Sequence, residues 1–193
     1  MKRILLFFSA LALAGTCWAQ DAKQEITVQG SGFLGKSTTG TGIQNEPTNS
    51  GGFMAGYRFN NNKWFAAEGD YDFSSNSQKY VTPTGNFRSQ VYVHGVTGAG
   101  VVKLPAFGNV KPFVLAGGGA LVFDPRNTTL IERQARGAFV YGGGADLQIA
   151  KRLKARAQYR GFVYKTPDFN LAQLKNDTYT HAAVPSAGLV FTF

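Results

Sequence analysis

From Leu153 to Tyr164 the chain changes character at every residue. Leu153, Ala155, Ala157, Tyr159, Gly161 and Val163 form one set; Lys154, Arg156, Gln158, Arg160, Phe162 and Tyr164 form the other. The first set is apolar throughout and the second is mostly charged or polar. A strand sends successive side chains to opposite faces, whereas a helix would mix the two sets. The same two-residue period recurs along the chain and predicts strands over 24–35, 51–59, 64–73, 88–102, 111–123, 137–149, 153–164 and 182–193. The connections alternate in length. Those at 36–50, 74–87, 124–136 and 165–181 are long and polar, those at 60–63 and 150–152 are short, and 103–110 is intermediate.

An even count of strands with this rhythm puts both termini at the short-turn end. In hydrocarbon every backbone group must find a partner within the protein, and a closed antiparallel barrel achieves this with no free edge. Outer-membrane barrels combine strands of roughly ten residues with short turns at one end and longer loops at the other. The apolar face then meets lipid and the charged face lines the interior. Phe53, Phe59, Phe65, Tyr71, Phe73, Phe113, Phe123, Phe139, Tyr159, Phe191 and Phe193 share the apolar parity and suit aromatic girdles at the two membrane interfaces. The fourth strand is read with Val91, Val93, Thr97, Ala99 and Val101 outside and Gln90, Tyr92, His94 and Val96 inside. A soluble lipocalin-like barrel around a ligand is the competing architecture. It leaves the alternation of loop lengths unexplained.

Residues 1–19 read as a cleaved secretory leader and 20–193 as the barrel domain. Lys2 and Arg3 precede the apolar run Ile4 to Ala14, and Cys17-Trp18-Ala19 supplies small residues at the −3 and −1 positions. The run is too short for a spanning helix. A lipidated Cys17 is the rival reading, and Thr16 in front of it fits that poorly. The chain has one cysteine, so cleavage leaves no disulfide and no thiolate chemistry. Twenty Lys and Arg against eleven Asp and Glu give a formal net charge of +9, to which the leader contributes Lys2 and Arg3. The basic residues form no clustered footprint, so no nucleic-acid partner is expected. Anionic headgroups or polysaccharide suit the charge better.

The last strand closes as Ala187-Gly188-Leu189-Val190-Phe191-Thr192-Phe193, with apolar residues at every second position before a terminal phenylalanine. Together with the leader and the eight alternating strands, this resembles the small outer-membrane β-barrel family related to the OmpA transmembrane domain and OmpX. The resemblance implies an all-β, eight-stranded antiparallel up-and-down transmembrane barrel in the bacterial outer membrane. Short turns would be periplasmic and four long loops extracellular. It implies that Leu189, Phe191 and Phe193 form the signal read by the outer-membrane assembly machinery after transit with periplasmic chaperones. A monomer in outer-membrane lipid and lipopolysaccharide is expected. Nothing follows Phe193, so the peptidoglycan-binding domain of full-length OmpA is not expected.

The third and seventh strands lie four apart in such a barrel and face each other across the lumen. Their charged residues overlap in depth. An ion-pair network of Arg58, Glu68, Asp70, Asp72, Asp146, Lys154, Arg156 and Arg160 is therefore expected, because isolated charges in a narrow lumen are costly while paired ones are tolerated. Such a network either fills the lumen or gates a narrow pore. The long loops are available for surface binding of an adhesin type, and Arg126, Arg133 and Arg136 could meet lipopolysaccharide phosphates. Catalysis, cofactors and metals are not expected. His94 and His181 have no nearby serine in sequence to form a nucleophile–base pair. Gly117-Gly118-Gly119 and Gly142-Gly143-Gly144 lack the Lys-Ser/Thr and helix of a phosphate loop. Asp70 and Asp72 have no histidine companion. The expected function is a non-enzymatic outer-membrane protein with a structural or surface role.

Overall fold

The computed structural model describes residues 23–35, 38–40, 43–47, 49–82, 85–125, 133–166 and 179–193. All regular structure there is β: β1 (Gln24–Gly35), β2 (Thr38–Gly40), β3 (Ile43–Pro47), β4 (Ser50–Asn60), β5 (Phe65–Thr82), β6 (Gly85–Lys103), β7 (Val110–Pro125), β8 (Gln134–Ala150), β9 (Leu153–Lys165) and β10 (Tyr179–Thr192). Eight of these, in the order β5-β4-β1-β10-β9-β8-β7-β6, form a ladder that pairing of β5 with β6 closes into an antiparallel barrel. Directly paired residues lead from Glu25 through Arg58, Glu68, Ala99, Gly117, Val140, Phe162 and Ala182 back to β1 at Gly35. The circuit returns ten residues further along β1 (25 to 35), a stagger that goes with strongly tilted strands. Residues 1–19, expected as a cleaved leader, lie outside the described residues.

Three connections at one end are compact. At 61–64 the Asn62 side-chain oxygen accepts from the Trp64 and Phe65 amides, both at 2.8 Å. At 107–110 Phe107 and Val110 exchange backbone hydrogen bonds of 2.9 and 3.1 Å around Gly108, whose φ of 59° suits glycine. Lys151 and Arg152 make the third turn.

The other end departs from the sequence reading. The stretch 74–87, expected as a polar loop, continues both strands into an 18-residue β5 and a 19-residue β6. They pair out to Thr82↔Gly85. The expected loop 36–50 contains β2 and β3, and β3 pairs with β5 at Gln44↔Val81 to Pro47↔Gln78. The β4 and β7 ladders stop at Ser74 and Val91, so β2, β3 and the tips of β5 and β6 form a sheet projecting beyond the barrel. Polar composition suggested a loop because the sequence there shows no apolar alternation that would mark a strand.

The parity of β6 is the reverse of the sequence reading. Val91, Val93, Thr97, Ala99 and Val101 are buried inside, while Val96 is 61% exposed and His94 lies on the outer face opposite Phe73. Directly opposed residues of an antiparallel pair share a face, so the inward Glu68, Asp70 and Asp72 carry Ala99, Thr97 and Gly95 inward with them. Phe113 and Phe123 are also corrected. They are 2% and 1% exposed and point into the lumen rather than joining a girdle. In both strands the inner set is as apolar as the outer, so hydropathy alone could not choose between them. The other expected girdle aromatics lie on the outer face. Phe53, Tyr71, Phe73, Tyr92 and His94 form a continuous ring cluster there, with centroids 5.2–6.2 Å apart.

The wall curves tightly where inward glycines sit on neighbouring backbone. A Cβ on Gly119 would collide with the Val96 carbonyl and lie 2.8 Å from Thr97 Cα, whereas one on the outward Gly98 meets nothing within 4 Å. Gly119→Ala is expected to lower stability by about 1–3 kcal/mol in urea unfolding of the detergent-folded protein. Gly98→Ala should stay within about 0.5 kcal/mol.

Candidate functional site

The charged faces of β1, β4, β5, β8 and β9 meet inside the barrel near the short-turn end. Glu25, Arg58 and Glu68 are direct neighbours along one rung, so the signs alternate across three strands. Arg58 pairs with Glu68 and lies 3.7 Å from Asp146 and 4.0 Å from Glu25. On the facing wall Arg156 is paired in register with Asp146 and contacts it with two nitrogens, at 2.6 and 2.9 Å. The same guanidinium reaches across to Glu25 at 2.9 Å and Glu68 at 3.3 Å. Arg160 crosses to Glu68 and to Asp70 at 2.9 Å. Lys154 closes the lower edge on Glu25 at 2.7 Å. The Phe113 ring lies 4.2 Å below the Arg58 guanidinium carbon and 5.0 Å from that of Arg156, offering a π face to both cations.

Each guanidinium thus bridges several carboxylates, as suits a planar fork of five donors. Neutral polar groups complete the layer. Thr27 accepts from Arg156 at 3.3 Å and Thr97 from Arg160 at 3.4 Å. Above it Gln158 and Gln29 donate to the Met54 sulfur at 3.1 and 3.7 Å, and Ser186 donates to Gln29 at 3.2 Å. Beyond this the lumen turns apolar. Phe33, Val91, Val93, Leu121, Phe123, Phe162, Tyr164 and Val184 are all buried and belong to one cluster. The barrel interior is therefore stacked from the short-turn end: an ion layer, a neutral polar layer, then an apolar plug.

Of the eight residues expected in a network, Arg58, Glu68, Asp70, Asp146, Lys154, Arg156 and Arg160 are in ion-pair contact. Asp72 is not. Its two carboxylate oxygens are buried without a hydrogen-bond partner among the described residues, beside Phe33, Leu121, Phe162 and Val184 at the base of the plug. Glu25, the acid that touches Arg58, Lys154 and Arg156, is absent from the sequence reading. Its signal was available: it is the one charged residue within a strand whose alternate positions are otherwise neutral. Phe113 was missed because an aromatic at a strand end reads as girdle.

Neither histidine faces a nucleophile. His94 Nδ1 is 2.8 Å from the Tyr71 hydroxyl, and His181 Nε2 is 2.9 Å from that of Tyr141, both on the outer face. Gly161 lies between Tyr141 and His181 and lets them touch, since a Cβ there would come within 2.5–2.9 Å of both. Arg133 is exposed at the foot of the 126–132 connection, and Arg136 shares the inward parity of β8 with Ala138 and Val140. Arg126 lies outside the described residues. Leu189, Phe191 and Phe193 are 42%, 48% and 50% exposed on the outer face.

The description of an outer membrane protein β-barrel domain matches residues 4–191. Among solved structures, Neisserial surface protein A is similar at 12% identity and TM-score 0.63, covering 89% of this chain and 97% of that one. OprG from Pseudomonas aeruginosa is similar at 10% identity and TM-score 0.63, over 89% and 96% of the two chains. The Yersinia pestis attachment invasion locus protein Ail is similar at 16% identity and TM-score 0.50, over 89% and 100%. No curated protein sequence matches. At these identities the likeness is one of fold.

Arg156→Ala leaves Asp146, Glu25 and Glu68 short of a partner in a buried layer. A loss of about 3–5 kcal/mol is expected, read as a lower urea midpoint with unchanged heat-modifiable migration below it. Asp146→Asn in the same background should recover part of the loss, because it removes one of the stranded charges.

Proposed function

The chain belongs to the outer membrane protein β-barrel domain family, and from that premise we propose that it is a sealed, non-enzymatic scaffold of the bacterial outer membrane. Its task is to hold surface-exposed structure at the loop end. The observation that carries this reading is the stacking of the lumen. Arg58, Arg156 and Arg160 are 1%, 2% and 0% exposed, and the apolar plug lies above them beyond the Gln29–Gln158 layer. An ion passing through would have to displace a multiply bridged guanidinium and then cross a tightly filled, mostly apolar section, which is expensive. This supports a filled lumen over a gated pore.

The four long connections face outward in this reading, and one part of them is the projecting sheet of β2, β3 and the tips of β5 and β6. A surface built on a paired sheet is held in one shape, which suits partner recognition. Arg133 at the rim is offered to lipopolysaccharide phosphates. The outward Leu189, Phe191 and Phe193 serve the assembly machinery and then settle in the lipid interface.

Planar-bilayer recording tests the seal. Wild-type protein that migrates as a folded barrel before heating is expected to give no steady conductance. Reproducible channels from that material would overturn the scaffold reading in favour of a pore. Replacing 76–89 by a short turn should leave barrel folding intact and reduce binding of whole cells to host surfaces. Unchanged binding would remove the projecting sheet from the proposed role.

A further inference from the structure

The short-turn end of the barrel is hollow. A cup of about 650 Å3 opens there between the turns at 61–64 and 104–109, and Glu25, Arg58, Phe113 and Asp146 form its inner wall. That volume falls in the usual range for small-molecule sites, roughly 300–1,000 Å3. The ion layer closes the cup from the rest of the lumen, so it is a blind recess.

Its charge is unbalanced. Both acids in its wall are already engaged: Glu25 by Lys154 at 2.7 Å and Arg156 at 2.9 Å, and Asp146 by Arg156 at 2.6 Å. Lys23, Lys63, Lys103 and Lys111 also line the cup, with no carboxylate in ion-pair contact among the described residues. Lys103 is nonetheless held in place, since its ammonium donates to the Asn60 side chain at 3.0 Å and the Asn62 carbonyl at 2.6 Å. A second observation points the same way. Arg58, in the inner wall, keeps its Nη2 buried with no hydrogen-bond acceptor among the described residues. A buried guanidinium nitrogen with no acceptor is costly unless a ligand supplies one.

We propose that this cup binds a soluble organic phosphate carrying two phosphate groups, of the sugar bisphosphate type. Ammonium groups bind phosphate as point charges, and Lys103 and Lys111 line the cup together with Arg58 in its inner wall. Phosphate could also arrive as a phospholipid headgroup. The cup, however, opens along the barrel axis, inside the strand wall, whereas acyl chains must stay outside it.

Titration of fructose 1,6-bisphosphate into the folded protein in a non-ionic detergent, followed by calorimetry, tests the site. Saturable one-to-one binding is expected, weakened by added salt as exposed charges are screened. Lys103→Gln/Lys111→Gln should weaken it by about ten-fold or more while retaining heat-modifiable migration. If the double variant fails to fold, Lys111→Gln alone is read, with a loss of about three-fold expected. No saturable binding by folded wild type, or equal affinity in a folded variant, would overturn the proposal. A parallel arm compares nanodiscs of phosphatidylglycerol with nanodiscs of phosphatidylcholine. Variants that lose phosphatidylglycerol retention but keep bisphosphate affinity would mark the lysines as a lipid contact and overturn it as well.

Discussion

A peptide group in hydrocarbon has no water to bond, so the chain must pair every N–H and C=O with itself. The pairing of β5 with β6 meets that demand by removing the last free edge. Closure then has a consequence for side chains. Half of them are enclosed in a space barely wide enough to hold them, and the charges among them can be satisfied only by one another. Glu25, Glu68, Asp70 and Asp146 against Arg58, Lys154, Arg156 and Arg160 make a layer with equal numbers of each sign. Its members come from five strands, so no local segment could be neutral on its own.

The division of the interior follows from where those charges fall. They occupy positions near the short-turn ends of their strands, and the loop-end half of the wall contributes Phe33, Leu121, Phe123, Phe162 and Val184 instead. The lower half of the wall thus separates lipid from charge, as expected of a membrane barrel. The upper half separates lipid from an apolar core, and there the sheet is greasy on both faces.

That division explains what could be read in advance. β1 and β9 were legible to within a residue because one face was polar or charged and the other was not. The opposition of Glu68 to Arg156 and Arg160 followed from strand counting alone. β6 and β7 failed in parity because Val91, Val93, Phe113 and Phe123 look the same whether they meet lipid or the plug. The extension of β5 and β6 beyond Phe73 was hidden because alternation carries information only where the two sides meet different media. Glu25 stood out as the one charge in β1, but its partners lie 33 to 131 residues away (Arg58 to Arg156), so nothing local tied it to them.

The doubly apolar upper wall also bears on how the barrel finds its alignment. Moving one strand past its neighbour by a single residue exchanges its two faces. In the upper half such a slip would swap one greasy face for another at little penalty. In the lower half it would thrust Arg58, Arg156 and Glu68 into hydrocarbon and strand their partners. The ion layer therefore acts as the key that selects one strand alignment out of several, and the uniform half above it inherits an order it could not have specified.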